Sequence, residues 1–330
     1  MATFETQQID EVIVNSRRKM LALGGAALAG LAFAGVKLAE AQAAPAYSDS
    51  DILNFALNLE YLESQFYTLA TSGTTIDNMG SGVGPGTTKF GGGSVVTKPG
   101  GPAGCLVPWT LPAIQAYATE TATEERHHVN FLRANLGAAA VAMPNLDLYN
   151  SFNTLASAAG IASTFDPFAN DLDFLIGAYI FEDVGVTAYS GAAPLITTPA
   201  YLGAAAGILG VEAYHAGLVR TSIFIADPTG KVGLQGYTQK ISATRMALDG
   251  STTVDDIGVG FQTVSIEAAG TMNGASTIVD AQTGSPNYSK TYSRTTTQVL
   301  QIVTGSANIP ASGAKYTGVF FPNGLNGLFS

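Results

Sequence analysis

Two segments of this chain, TEERHHVNFLR at 123–133 and GVEAYHAGLVR at 210–220, each contain Glu-x-x-His: Glu125 with His128, and Glu212 with His215. The whole chain has three histidines, so two of the three stand in this spacing. On a helix it places both side chains one turn apart on the same face. Two other segments pair in a second way, Glu60 with Tyr67 and Glu182 with Tyr189, each about two helical turns apart. The order along the chain is Glu-x6-Tyr, Glu-x-x-His, Glu-x6-Tyr, Glu-x-x-His. A fold that satisfies it consists of two helix pairs, the second repeating the first. Glu60 and Glu125 are 65 residues apart and Glu182 and Glu212 are 30 apart, and a glycine-rich stretch of 36 residues at 73–108 accounts for the difference.

Periodicity and punctuation place the four helices. The first begins at Ser48 or Ser50 with apolar residues at Ile52, Leu53, Phe55, Ala56, Leu59, Leu62 and Phe66, and stops at Gly73. The second runs from Pro112 to Leu136, ahead of Gly137, and a connection at about 138–168 carries a short helical piece around Leu146 to Ala158. The third covers about Asn170 to Ser190, and the fourth runs from Thr198-Pro199 to about Ile225, before Asp227-Pro228. Residues 73–108 hold eleven glycines and read as a surface loop or extended hairpin. From Gly230 the chain is rich in Thr, Ser and Gly, with a helix expected at Arg294 to Val303 and strand or irregular structure near 251–280. The expected class is mainly α: a four-helix bundle at 44–226 with an insertion at 73–108, and a C-terminal extension, 227–330, packed on the bundle.

The N-terminal stretch SRRKMLALGGAALAGLAFAGVKLAEAQAAPA has an Arg17-Arg18 pair, an apolar run from Met20 to Val36 and Ala41-Gln42-Ala43. This is an export signal over 1–43 of the twin-arginine type, with a cleavage site before Ala44, and it points to the periplasm or cell envelope. The run is short and glycine-rich, so no stable membrane span is expected in the mature chain; an uncleaved anchor is the alternative. The net charge is −10 and no basic cluster follows the first twenty residues, which excludes nucleic acid as a partner. Cys105 is the one cysteine, so neither an intrachain disulfide nor a cysteine-rich metal site can form.

The surroundings of the glutamates are apolar: FALNLEYLE around Glu60, DFLIGAYIFEDVG around Glu182 and GILGVEAYHAG around Glu212. Burying four carboxylates and two imidazoles without compensation costs several kcal/mol per ion, more than the ~5–15 kcal/mol net stability of a domain can absorb. Two divalent cations cancel four carboxylate charges. Bundle cores that hold such a pair take one Glu from each of two helices and a Glu-x-x-His from each of the other two, the inventory found here. Glu63 could be an extra ligand or a carboxylate at the rim. Glu124 with His127 forms an alternative pair one residue out of step; Glu125 with His128 is preferred because Phe131 and Leu132 lie on or near their face.

The phrases LNLEYLESQFY, EERHHVNFLR, FEDVGVTAY and GVEAYHAGLVR resemble the ferritin-like superfamily, and its rubrerythrin-type bundles in particular. The likeness is greatest to exported ferritin-like proteins grouped with plant desiccation-related proteins, whose C-terminal region RTTTQVLQIV and FFPNG also resemble. The resemblance implies Glu60, Glu125, His128, Glu182, Glu212 and His215 as ligands of two iron ions, or of manganese, with Tyr67 and Tyr189 as neighbouring, redox-active residues. It implies an exported redox protein that oxidises ferrous iron or consumes peroxide, since a pair of such ions exchanges two electrons in one step. The Cys-x-x-Cys electron-transfer module of rubrerythrins is absent, which favours ferroxidase or catalase-like turnover over a reductase. Metal ions and dioxygen or peroxide are then the partners, and a homo-oligomer is compatible with the family. A structural or stress-protective envelope protein with a non-catalytic or degenerate site is the alternative, and an oligomeric iron store ranks below both.

Overall fold

The computed structural model describes residues 47–79, 93–252, 255–266, 270–275, 291–308 and 315–328. The export signal expected at 1–43 and the middle of the glycine-rich insertion lie outside the described residues. The helices are α1 (Asp49–Ser72), the single turn α2 (Gly101–Gly104), α3 (Pro112–Leu136), α4 (Asn150–Ala158), α5 (Asp171–Ala192), α6 (Pro199–Ala226), α7 (Leu234–Asp249) and α8 (Thr296–Thr304). Their ends follow the sequence signals. Ser48 and Asp51 form a capping box and Gly73 closes α1 in the left-handed conformation. Pro112 and Pro199 stand in the first turns of α3 and α6, and the Asn170 side chain accepts from Leu172 N and Asp173 N to start α5.

The four long helices form the bundle, with α1 packed chiefly on α3 and α5 on α6. Carboxylates, Asp171 buried and Asp49 half-buried, fasten the ends. Asp171 accepts from Thr110 N at 3.0 Å and Leu111 N at 3.0 Å, which joins the starts of α3 and α5. Asp49 accepts from Thr197 N at 2.9 Å and Thr198 N at 2.8 Å, which joins the starts of α1 and α6. The core between the helices is aromatic: Phe66 stacks on Phe174 at 5.6 Å and meets Phe152, Phe168 and Phe181 within 6 Å.

Strand structure is slight. β1 (Val95–Val96) pairs in parallel with β2 (Leu146–Asp147), so the insertion is pinned to the connection after α3 and forms no hairpin among its described residues. β3 (Phe261–Ile266) and β4 (Gly270–Ala275) form an antiparallel pair, Phe261 opposite Ala275, where strand or irregular structure was expected.

The C-terminal third contains one element that apolar periodicity does not signal. The inward face of α7 is formed by Leu234, Thr238, Ile241, Ser242, Arg245 and Asp249. Four of the six are polar, so their helical spacing is invisible to a search for apolar residues. These polar groups enter a buried ionic network. Asp183 Oδ2 accepts from Arg220 at 2.8 Å and Arg245 at 2.9 Å, Asp256 accepts from Arg245 and Arg294 at 2.7 Å, and Asp249 accepts from Arg294 at 2.8 Å. Three arginines face three aspartates, so the cluster is neutral and each charge has a partner. Gly191 lets the backbone at Arg294 approach α5, because a Cβ there would stand 1.9 Å from Arg294 O. Further on, Phe320 packs on Phe152 and Phe181, and Asn326 and Asn58 of α1 exchange two hydrogen bonds of 2.9 Å.

Candidate metal centre

Glu60 on α1, Glu125 and His128 on α3, Glu182 on α5, and Glu212 and His215 on α6 converge at mid-bundle, all buried. They form two overlapping groups whose ligand atoms lie within 4.8 Å of one another: Glu60, Glu125, His128 and Glu212; and Glu125, Glu182, Glu212 and His215. Glu125 and Glu212 belong to both. His128 Nδ1 is 3.1 Å from Glu60, 3.4 Å from Glu212 and 3.5 Å from Glu125. His215 Nδ1 is 2.9 Å from Glu125 and 3.6 Å from Glu182.

The tyrosines are crossed between the halves. Tyr67 of α1 donates to Glu182 of α5, and Tyr189 of α5 donates to Glu60 of α1. The reversed order of these contacts shows that α1 and α5 run antiparallel, and the same reversal relates α3 to α6 through His128 with Glu212 and His215 with Glu125. A pseudo-twofold axis therefore passes through the centre.

The electrostatics are those of a site short of positive charge. Burial pushes the Glu60 carboxyl up to about 7 although His128 opposes it. Burial and neighbouring carboxylates raise Glu212 and Glu63 far above the usual range, and burial raises Glu182. Burial also works against the charge of Glu125, but His128 and His215 outweigh it and hold this carboxyl below the ordinary range. Both imidazoles are raised because the glutamates overcome the effect of burial. Both oxygens of Glu125 and of Glu212, Glu182 Oε2 and His215 Nδ1 are buried without a hydrogen-bond partner. Orphaned acceptors aimed into one volume make a candidate metal site, and the donor set of carboxylates and imidazoles suits a divalent cation.

The structure brings together all six residues singled out from the sequence, and sequence reasoning missed the part played by Glu124. It accepts from His215 Nε2 at 2.7 Å, which fixes the ring with Nδ1 facing the centre. His127, the other half of the alternative pair, is exposed. The rotation of α3 follows Leu132, which is buried, whereas Phe131 is 39% exposed and does not mark the inner face. Glu63 is 5% exposed and is not a rim residue. α6 is the one helix among the described residues long and apolar enough to cross a membrane, but its buried face carries Glu212, His215 and Arg220 and is committed to the bundle.

The sequence model of the ferritin-like domain matches residues 48–224, the four long helices. The chain belongs to the ferritin-like domain family. It is 33% identical over 221 residues to the desiccation-related protein PCC13-62 of Craterostigma plantagineum, covering 64% of this chain and 66% of that protein. It is also 27% identical over 293 residues to the ferritin-like catalase Nec2 of Nesocodon mauritianus, covering 85% of this chain and 84% of that one. No solved structure matches the chain at a significant level.

Proposed function

We propose that the protein is an exported two-metal redox protein, holding iron or manganese, that disproportionates hydrogen peroxide. The observation that carries this reading is the pair of overlapping four-residue groups with partnerless oxygens on Glu125 and Glu212, the two residues common to both. Glu60 and His128 would hold one ion, Glu182 and His215 the other, and Glu125 and Glu212 would serve both. Two such ions supply a store for the two electrons that pass from one peroxide to the next. The balance is two hydrogen peroxide to two water and one dioxygen, so no external electron donor is needed, in keeping with the lack of a Cys-x-x-Cys module.

The chain's own residues set the conditions. Tyr67 and Tyr189, both held protonated far above their usual range by burial first and then by nearby glutamates, act as fixed donors that orient Glu182 and Glu60. Glu124 holds His215 Nε2, which leaves Nδ1 as the nitrogen that would be offered to an ion once its proton is displaced. Burial of all six residues keeps bulk water from the ions. The catalase name of the second relative favours peroxide over ferrous iron as substrate. The desiccation-related name of the first favours the alternative, a stress-protective envelope protein with a non-catalytic site. Export through the signal at 1–43 would bring the protein, folded and loaded, to either task.

Metal analysis of the purified protein followed by oxygen-electrode assay decides between them. About two iron or manganese per chain, with one dioxygen released per two peroxide consumed, is expected. A folded protein that holds neither ion and cannot be loaded with either overturns the two-metal reading, and a loaded one inert to peroxide leaves the protective role.

A further inference from the structure

Protein interiors pack as densely as organic crystals, so adjoining voids beside a buried site call for a reason. Two such voids lie along α5. The outer one, about 40 Å³, is enclosed by α4, α5, α7 and α8. Phe152, Ile176 and Ile241 form its buried wall, and the half-buried Leu155, Phe165 and Leu248 form its mouth. Its one charged lining residue among those described is Arg245, whose guanidinium is committed to Asp183 and Asp256. The inner void, about 20 Å³, lies between α1, α5 and α8, with Phe320 in its wall. Ile180 and Ile302 belong to both linings, so the two cavities adjoin at these side chains.

The inner cavity ends at the centre. Its lining includes Glu63 of α1 and Gly185 of α5, which correspond when Glu60 is matched to Glu182. A Cβ on Gly185 would stand 2.2 Å from Glu212 Oε2, so the glycine brings the cavity wall against a residue common to both ligand groups. From the mouth to this point the walls are almost wholly apolar. Water and hydrogen peroxide would forfeit their hydrogen bonds there, whereas dry apolar cavities take up apolar guests such as xenon. Dioxygen is the apolar member of the reaction. A third cavity, also about 20 Å³, differs in kind: it reaches Tyr67 from between α3, α5 and α6, and Tyr67, Tyr117, Thr121 and Ser222 bring hydroxyls to its lining.

We propose that the two adjoining apolar cavities are the dioxygen passage of the metal centre, with its neck at Ile180 and Ile302 and its inner end at Gly185. The proposal rests on the two-metal reading of the site. Under that reading dioxygen leaves along α5, and hydrogen peroxide arrives on the hydroxyl-bearing side of Tyr67.

Two measurements on the full chain test it. The first needs no metal: crystals pressurised with xenon should hold xenon in both cavities of wild type and lose it from the neck and inner cavity in Ile180→Trp. Wild type without xenon in either cavity overturns the proposal whatever the metal content. In the second, protein loaded anaerobically with Fe²⁺ is mixed with dioxygen or with hydrogen peroxide, and the rise of ferric absorbance is followed. Two Fe²⁺ and two protons reduce one dioxygen to one hydrogen peroxide, or one hydrogen peroxide to two waters, so each reagent reports its own arrival at the same ions. Ile180→Trp should slow the dioxygen reaction severalfold and leave the peroxide reaction at the wild-type rate. Thr244→Trp, which fills the outer cavity from a half-buried position, should do the same and carries the test if Ile180→Trp does not fold. Equal slowing with both reagents, or slowing with neither, overturns the passage while leaving the two-metal centre intact. A wild type that takes up xenon but binds no Fe²⁺ removes the two-metal reading and the proposal with it.

Discussion

Tyr61 and Asp183 occupy equivalent places in the two halves of the bundle, each one residue after a glutamate of the centre, and each receives an arginine. The arginines, Arg133 and Arg220, are themselves equivalent, five residues beyond His128 and His215. In the first half the acceptor is a neutral phenol that also donates to Val141 O at 3.1 Å. In the second half the acceptor is a buried carboxylate, which gathers Arg245 and, through Asp256, Arg294 and Asp249. The carboxylate is one of the points at which α7 and the segment before α8 are fastened to the bundle. A second difference, Glu63 against Gly185, lies within the centre. Two buried clusters lie on different faces of α5, about 100° apart around its axis. The one around Asp183 has equal numbers of both charges and is a structural joint, whereas the one around Glu182 has an excess of carboxylates with orphaned oxygens and is a site.

The strongest test of the symmetry concerns the shared residues. Glu125→Ala and Glu212→Ala should each empty the centre of both ions, whereas Glu60→Ala and Glu182→Ala should each leave one, as read by metal content per folded chain. Loss of both ions in all four variants would break the description of two overlapping groups. Next in size is the joint. Arg245→Ala leaves Asp183 and Asp256 short of a partner and should cost ~3–5 kcal/mol in urea unfolding, against about 1 kcal/mol for Arg133→Ala, which removes a hydrogen bond to a phenol. Equal losses would show that the charged version is no stronger a fastening. The joint also carries an acid signature. Burial opposes the charge of Asp256, but Arg245 and Arg294 prevail and hold its carboxyl below the ordinary value of 3.8. A depressed carboxyl stabilises the fold at pH above that value and loses its contribution as the pH falls below it, so the melting temperature of wild type should fall more steeply below about pH 4 than that of Asp256→Asn. The smallest effect is expected of the crossed tyrosines. Tyr67→Phe and Tyr189→Phe should each weaken metal binding by about tenfold and by the same factor; unequal factors would break the equivalence of the two halves around the crossed tyrosines.

The long helices and six residues of the centre were legible because two independent periodicities coincide there. Apolar residues repeat at helical spacing after Ser48, Pro112, Asn170 and Pro199, with Gly73 and Gly137 closing the first two of these helices, and the glutamates and histidines fall on the same faces. Where the buried face is polar the signal vanishes, as in α7, whose Thr238, Ser242, Arg245 and Asp249 look like an exposed surface until Asp183 and Asp256 are brought to them by folding. Spacing also locates a residue on a helix without saying what stands opposite. Tyr67 was placed on the face of Glu60, but its hydroxyl reaches Glu182, and Glu124 became the partner of His215 on another helix.

The two hydrogen bonds between Asn58 and Asn326 join positions 268 residues apart. At the usual pace of ~5–20 residues per second, roughly 13 to 54 seconds of synthesis separate the two asparagines. For that interval α1 exists with the amide of Asn58 lacking its distant partner, and the wall formed by Phe320 is missing as well. The bundle therefore cannot be sealed on that side until Asn326 has been made, and any ion taken up earlier enters a cleft still open there.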